Sequence, residues 1–226
     1  MSRGLGDVYK RQKWGYADDV VTAFFTDEVL ALSERGKPFL AGLLTLSSHE
    51  PFEVPYDKFD DKVLNAMAFT DECVGRMIDR WRDSPAWDNL LVVLVADHAY
   101  SYPYGIAYNV PLRHRIPMIW TGGAVRGPRT VETYASQIDF AATLLAQMGI
   151  GHGDFRFSKN VLSPATPPRK FAYYTFNDGF GVVDATGETV YDCTAGGTIL
   201  ENGPDSGRLD VGKAMLQATY RDIGER

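Results

Sequence analysis

Leu90-Leu91-Val92-Val93-Leu94-Val95 is an unbroken apolar run that passes directly into Ala96-Asp97-His98. A strand with one wet face would alternate apolar and polar residues; this run has no polar side, so it needs cover on both faces. That requirement predicts a buried strand in a sheet with helices above and below it. The flanking sequence supplies the helices. Val20, Val21, Phe24, Phe25, Val29 and Leu32 recur at three- and four-residue steps, with Asp18 and Asp19 at the start and Gly36 then Pro38 as a stop. A second helix is expected from about Asp61 to Arg82, with Val63, Met67, Val74, Ile78 and Trp81 on one face. A third runs from Ser136 to Met148, with Gly149 as its C-cap. Between them, Phe39 to Leu46 and Ile116 to Trp120 read as further short buried strands, the latter closed by Gly122-Gly123. This alternation predicts an α/β fold, a mainly parallel sheet sandwiched by helices.

The last quarter is patterned differently. Phe171 to Phe176, Gly181 to Asp184 and Glu188 to Tyr191 read as antiparallel strands, with turns at Asn177-Asp178-Gly179 and Thr186-Gly187. An amphipathic helix from about Arg208 to Tyr220 follows. The expected organisation is therefore a leader over 1–12, an α/β domain over 13–165, and a small antiparallel β plus helix region over 166–226. The leader has no helical or strand period. It reads as a scar joined to a chain that began elsewhere, or as a frayed native terminus.

Composition narrows the function classes. Of 226 residues, 45% are hydrophobic and 23% charged, which excludes wholesale disorder. The net charge of −6 argues against a nucleic-acid partner. No apolar run approaches the ~18 residues of a membrane helix, and no N-terminal segment has the pattern of a signal peptide. Cys73 and Cys193 are expected to be ordinary buried thiols.

Ligands of open parallel sheets bind beyond the carboxyl ends of the strands. One expected strand ends in Ser47-Ser48-His49 and another in Asp97-His98, so His49, Asp97 and His98 would share one rim. Carboxylate plus imidazole suits Zn²⁺ or Mn²⁺. A metal there would neutralise and polarise a phosphate or sulfate ester. His49 could ligate metal, hold an anionic oxygen, or protonate a leaving group. Arg113 and Arg115 could clamp an anionic ester, and Tyr100 with Tyr102, Tyr104 and Tyr108 could stack on a sugar or headgroup; solvated charge and loop packing are their plain alternatives. His114 is a further candidate ligand.

These residues carry a resemblance. Thr45-Leu46-Ser47-Ser48-His49-Glu50-Pro51-Phe52 is similar to the T-L-S-x-H-x-P-F segment of the lipoteichoic acid synthase and sulfatase-like branch of the alkaline phosphatase superfamily. Leu91 to His98 resembles that family's strand ending in a metal-binding D-H pair. Trp14-Gly15 with Asp18-Asp19 resembles its W-G-x-x-D, Phe69-Thr70-Asp71 its Y-x-D, Ile116-Pro117-Met118 its next strand, and Gln137-Ile138-Asp139 with Thr143-Leu144-Leu145 the start of its following helix. The motifs keep their order from Trp14 to Gly149, and the hairpin at Tyr173-Tyr174-Thr175-Phe176 fits the family's C-terminal part.

The resemblance implies a metal-dependent enzyme acting on phosphate or sulfate esters through a threonine or serine nucleophile. Asp97 and His98 match the family's metal ligands, and His49 its contact with the transferred group or acceptor. The cofactor implied is one divalent metal, Mn or Zn, with Mg or Ca as alternatives. The substrate implied is an anionic ester, linked to a lipid or a glycan. Two features depart from the pattern. Ala99 stands where glycine is usual. No nucleophile with its accompanying glutamate precedes Trp14, so the chain is expected to be the C-terminal part of a longer enzyme, inactive alone. The parent would reach the extracytoplasmic face of a bacterial membrane, or the periplasm, through a missing N-terminal region. Phosphoglycerol-type transfer is the expected chemistry; sulfate-ester hydrolysis and a catalytically inactive binding module are the alternatives.

Overall fold

In the computed structural model, residues 11–12, 15–163, 170–204 and 206–226 are described. Most of the expected leader, Trp14, and the expected boundary at 165/166 lie outside the described residues. Arg11–Gln12 (β1) pairs antiparallel with Gly15–Tyr16 (β2), a short ladder where no strand period was visible. The chain divides into two units, Met1–Val93 with Trp120–Gly127, and Leu94–Ile119 with Pro128–Arg226.

The first unit is built on a helix pair, α1 (Asp18–Glu34) and α2 (Lys62–Arg82). The Asp61 side chain opens α2 by accepting the Val63 and Leu64 backbone N–H groups, which the first turn cannot satisfy itself. Gly36, at φ 63°, ends α1 in the left-handed conformation that the sequence suggested. The buried faces are rotated from those expected. On α2 the stripe is Ala66, Phe69, Cys73, Met77 and Trp81, while Met67 is 39% exposed. Ala66 and Cys73 are among the most deeply buried residues of α2, although both are small. On α1 the buried positions are Asp18, Thr22, Thr26 and Val29, and Phe24 faces outward. The threonine hydroxyls are satisfied locally: Thr22 donates to the Asp18 carbonyl and Thr26 to the Thr22 carbonyl, each at 2.6 Å. Trp81 locks the pair by donating its indole N–H to the Thr26 carbonyl and meeting Phe25 edge-on.

The expected strand over Phe39–Leu46 does not form. These residues have no strand or helix assignment, and Leu40 and Leu44 are 92% and 69% exposed. A strand exists through its ladder partner, and among the described residues this segment has none. The run at 90–95 does form a strand, β3 (Val92–Val95), paired with β4 (Met118–Thr121) in a two-stranded sheet. Gly122, at φ 114°, lies so close to the Leu90 carbonyl that a Cβ would overlap it, which explains the glycine pair after β4.

In the second unit, α3 (Asp139–Gln147) starts three residues later than expected. The antiparallel sheet runs in the order β5 (Phe171–Phe176), β6 (Gly179–Asp184), β7 (Gly187–Asp192), β8 (Gly197–Asn202). Strand β8 is additional to the three strands expected here, because its Gly-Thr-Ile-Leu-Glu-Asn has little alternation. Helix α4 (Arg208–Gly224) packs on β6 and β7, with Gly212 pressed against the Phe180 ring where a Cβ would collide. Arg208, 2% exposed, is the unit's polar centre. It donates to the Thr189, Thr186 and Ser206 hydroxyls and to the Asn202 and Pro204 carbonyls, and pairs with Asp184 and Glu201. Cys73 is buried and Cys193 exposed; both are free thiols, so the expectation of burial holds for the first only.

Candidate functional site

The chain leaves β3 into an exposed turn that carries Asp97 and His98. Asp97 Oδ1 accepts the His98 backbone N–H at 2.9 Å. The His98 Nδ1 lies 3.0 Å from the Ala99 carbonyl, which can only accept, so Nδ1 donates there and Nε2 is the ring nitrogen left for a metal when the imidazole is neutral. Nε2 and Asp97 Oδ2 are 3.8 Å apart. Two ligands bound at about 2.1 Å to one tetrahedral ion would be about 3.4 Å apart, so the pair can serve one metal with a small side-chain rotation. A carbonyl on the far ring nitrogen is also the usual outer support of a metal-bound histidine. Ala99 keeps a negative φ, so the turn has no need of the glycine usual in the family. Among the described residues, no third His, Cys, Asp or Glu joins the pair in a metal-holding group. The donor set thus fits part of a divalent-metal site.

His49 belongs to the first unit. Its backbone N–H donates to the Leu46 carbonyl, its own carbonyl accepts from Phe52, and Nδ1 lies 3.0 Å from the Glu50 carbonyl. Phe52 sits at φ 61°, uncommon for a bulky residue, and its buried ring anchors the turn. Beneath the turn lies Asp18, which in sequence is a helix opener and the last residue of W-G-x-x-D. Asp18 is fully buried; its Oδ1 accepts the Leu46 N–H at 2.8 Å, and its Oδ2 accepts the Ser47 N–H at 3.2 Å and the Thr70 hydroxyl at 2.7 Å. The Asp18 N–H in turn donates to the Ser47 hydroxyl at 2.9 Å. Within W-G-x-x-D and T-L-S-x-H, this carboxylate and this hydroxyl clasp one another.

The remaining candidates belong to the second unit. Arg113 lies in a 3-10 turn, Pro111–His114, and Arg115 just after it. Tyr100 is 38% exposed. His114 is a packing residue: its ring stacks on Tyr174 at 4.1 Å, and its Nε2 donates to the Tyr108 carbonyl at 2.8 Å. Burial lowers its pKa, with the nearby Arg113 charge adding to that and the Tyr108 bond opposing it. Tyr108 packs edge-on against His114 and Phe176. The plain packing alternative therefore holds for Tyr108.

The sequence model of the Sulfatase family matches residues 3–150. Phosphoglycerol transferase I of Xanthomonas campestris pv. campestris is 29% identical over 168 residues, covering 69% of this chain and 24% of that protein. A lipoteichoic acid synthase-like protein of Bacillus subtilis is 25% identical over 188 residues, covering 69% of this chain and 29% of that protein. The chain thus spans about a quarter of the length of the curated relatives it matches. Among solved structures, a Vibrio parahaemolyticus protein of the alkaline phosphatase superfamily aligns over 94% of this chain and 56% of its own, with a TM-score of 0.76 and 24% identity. The lipoteichoic acid synthase LtaP of Listeria monocytogenes aligns over 93% and 60%, with a TM-score of 0.70 and 20% identity. These two carry the fold, and the family match covers well over half of the chain. The order of motifs from Gly15 to Gly149, the D-H turn after β3 and this match lead to one conclusion: the chain belongs to the sulfatase family and has the alkaline phosphatase superfamily fold.

Proposed function

We propose that this chain supplies the D-H metal ligands and the substrate-contacting histidine of a phosphoglycerol-type transferase, as the C-terminal part of a longer enzyme. The observation that carries the reading is the Asp97–His98 turn, with Oδ2 and Nε2 at 3.8 Å and Nδ1 engaged by the Ala99 carbonyl. Asp97 and His98 would hold a divalent ion, Mn²⁺ or Zn²⁺, which supplies charge neutralisation and polarisation of the ester. His49, in its protonated form, would hold an anionic oxygen or protonate the leaving group. Arg113 and Arg115 add positive charge for an anionic substrate, and Tyr100 an aromatic face for its sugar or headgroup. The nucleophilic threonine or serine lies outside this chain.

The names of the relatives, phosphoglycerol transferase and lipoteichoic acid synthase-like protein, favour phosphoryl transfer; the family description favours sulfate-ester hydrolysis as a second reading. No helix among the described residues is long and apolar enough to cross a membrane. The proposed setting, the extracytoplasmic face of a bacterial membrane, would thus depend on a region outside them. The test is metal content with and without the ligands. The complete enzyme is expected to bind about one Mn²⁺ or Zn²⁺, this chain alone only weakly, and either to lose it on Asp97→Ala or His98→Ala; stoichiometric metal that survives both changes overturns the site. This chain alone is expected to turn over neither phosphate nor sulfate esters. Turnover by it would place the nucleophile among its own residues.

A further inference from the structure

The Asp97–His98 turn is exposed, its two side chains at 72% and 62% of their full accessibility. Its internal bonds, from His98 N–H to Asp97 and from the His98 ring to Ala99, fix the side chains relative to their own backbone. They do not fix that backbone in the protein. A tie from 40 residues further along the chain does. Gln137 Nε2 lies 2.8 Å from the Ala96 carbonyl and 3.3 Å from the Asp97 carbonyl. A primary amide has two N–H donors on one nitrogen, and here they span two consecutive carbonyls.

The base from which Gln137 reaches is anchored on both sides. Asp139, 3% exposed, accepts the Ser136 N–H at 2.8 Å and the Lys159 ammonium at 2.7 Å on Oδ2, and the Lys159 N–H at 2.9 Å on Oδ1. Lys159 continues to the Phe171 carbonyl at 3.0 Å, and the Ser136 hydroxyl accepts the Tyr173 N–H at 2.7 Å. Residues 136–139 are thus pinned to the edge strand β5 and to the segment around Lys159, and Gln137 projects from that pinned segment.

We infer that Gln137 is a positioning residue of the metal site: through the Ala96 and Asp97 carbonyls, it holds the backbone from which both ligands depart. Ligand atoms must stay within a few tenths of an ångström of their places for a metal to bind well, and supports of this outer kind typically change metal affinity 10–100-fold. The inference rests on the reading of Asp97 and His98 as ligands, and it concerns a residue that need not touch the metal.

The test is Mn²⁺ titration of the chain, followed by electron paramagnetic resonance, for the wild type, Gln137→Leu, Gln137→Ala, Asp97→Ala and His98→Ala, with the melting temperature of each. Gln137→Leu keeps length without the donor, and the exposed position lets both variants fold. The expected result is Mn²⁺ affinity lowered about tenfold in both Gln137 variants at unchanged melting temperature, and abolished in the two ligand variants. Affinity within twofold of the wild type in both Gln137 variants, with the ligand variants still defective, overturns the positioning role alone. Wild-type Mn²⁺ binding that is absent, or that survives both ligand changes, overturns the ligand reading and this role with it.

Discussion

Substitution of Asp18 tests whether the His49 turn is held by one buried carboxylate. Its oxygens accept two backbone N–H groups and one hydroxyl. In Asp18→Asn the amide oxygen can keep one of the two backbone donors. The amide nitrogen can donate to Thr70, whose hydroxyl reverses its role. The second backbone N–H then faces an N–H₂ group and has no acceptor. A buried orphan donor costs about 1–3 kcal/mol, so about 2 kcal/mol is expected. Asp18→Ala removes both acceptors. The Ser47 N–H is buried and the Leu46 N–H only partly so, which lets water offset part of the second loss, but the Thr70 hydroxyl loses its acceptor as well, and about 4 kcal/mol is expected in total. With a urea dependence of about 2 kcal/mol per molar, the midpoint falls by about 1 M for Asn and about 2 M for Ala. Trp81, Trp87 and Trp120 belong to the same unit as Asp18, so tryptophan fluorescence during urea unfolding reads the right part of the molecule. Faster amide exchange at Ser47 should accompany the shift. A midpoint for Asp18→Asn within experimental error of the wild type, or equal to that of Asp18→Ala, would refute the argument, since it depends on counting acceptors.

The sheet unit should lose stability in acid through Asp184. Burial alone would raise its pKa, but hydrogen bonds from Thr186 and Ser206 and the Arg208 charge outweigh that and hold it at about 2. The folded value lies below the unfolded 3.8, so the stabilisation is complete above about pH 4 and fades as pH falls toward 2. The shift corresponds to about 2 kcal/mol before solvent screening and about 1 kcal/mol after it. Thermal unfolding between pH 5 and pH 2 should show a slope in the wild type that is smaller in Asp184→Asn; equal slopes would remove Asp184 as its source. Cys73 is 1% exposed, and burial pushes its pKa up to about 11, whereas Cys193 is exposed. Iodoacetamide at neutral pH followed by peptide mass mapping should label Cys193 in the native chain and Cys73 only after unfolding; equal labelling of both would contradict the packing of α2.

The elements that were legible in the sequence are those whose signal is local. Asp61 before the α2 pattern, the Gly36 stop, the Asn177-Asp178 turn and the apolar run into Asp97-His98 each lie within a few residues of the structure they specify. The candidate ligands were legible for the same reason, since a strand followed at once by a carboxylate and an imidazole is a local pattern. The resemblance carried the family, which the sulfatase match bears out. The buried faces of α1 and α2 were less legible, because which side of a helix is covered depends on its partner.

Pairings across long stretches of chain are visible only in the fold: Asp18 with Leu46 and Ser47, Gln137 with Ala96 and Asp97, Asp139 with Lys159, and Arg208 with Asp184 and Glu201. In sequence these are an acid at a helix start, a glutamine before a helix, and charges that would ordinarily be solvated. The fold brings each to backbone groups or opposite charges with which it is buried or bound. The same reason accounts for the strand that did not form at Phe39–Leu46. Its residues have the apolar character of a buried strand, but a ladder needs a neighbour that composition cannot supply. Local sequence patterns thus mark the segments that hold the candidate ligands, and the fold sets what holds those segments in place, because hydrogen-bond partners are set by position in space and not by distance along the chain.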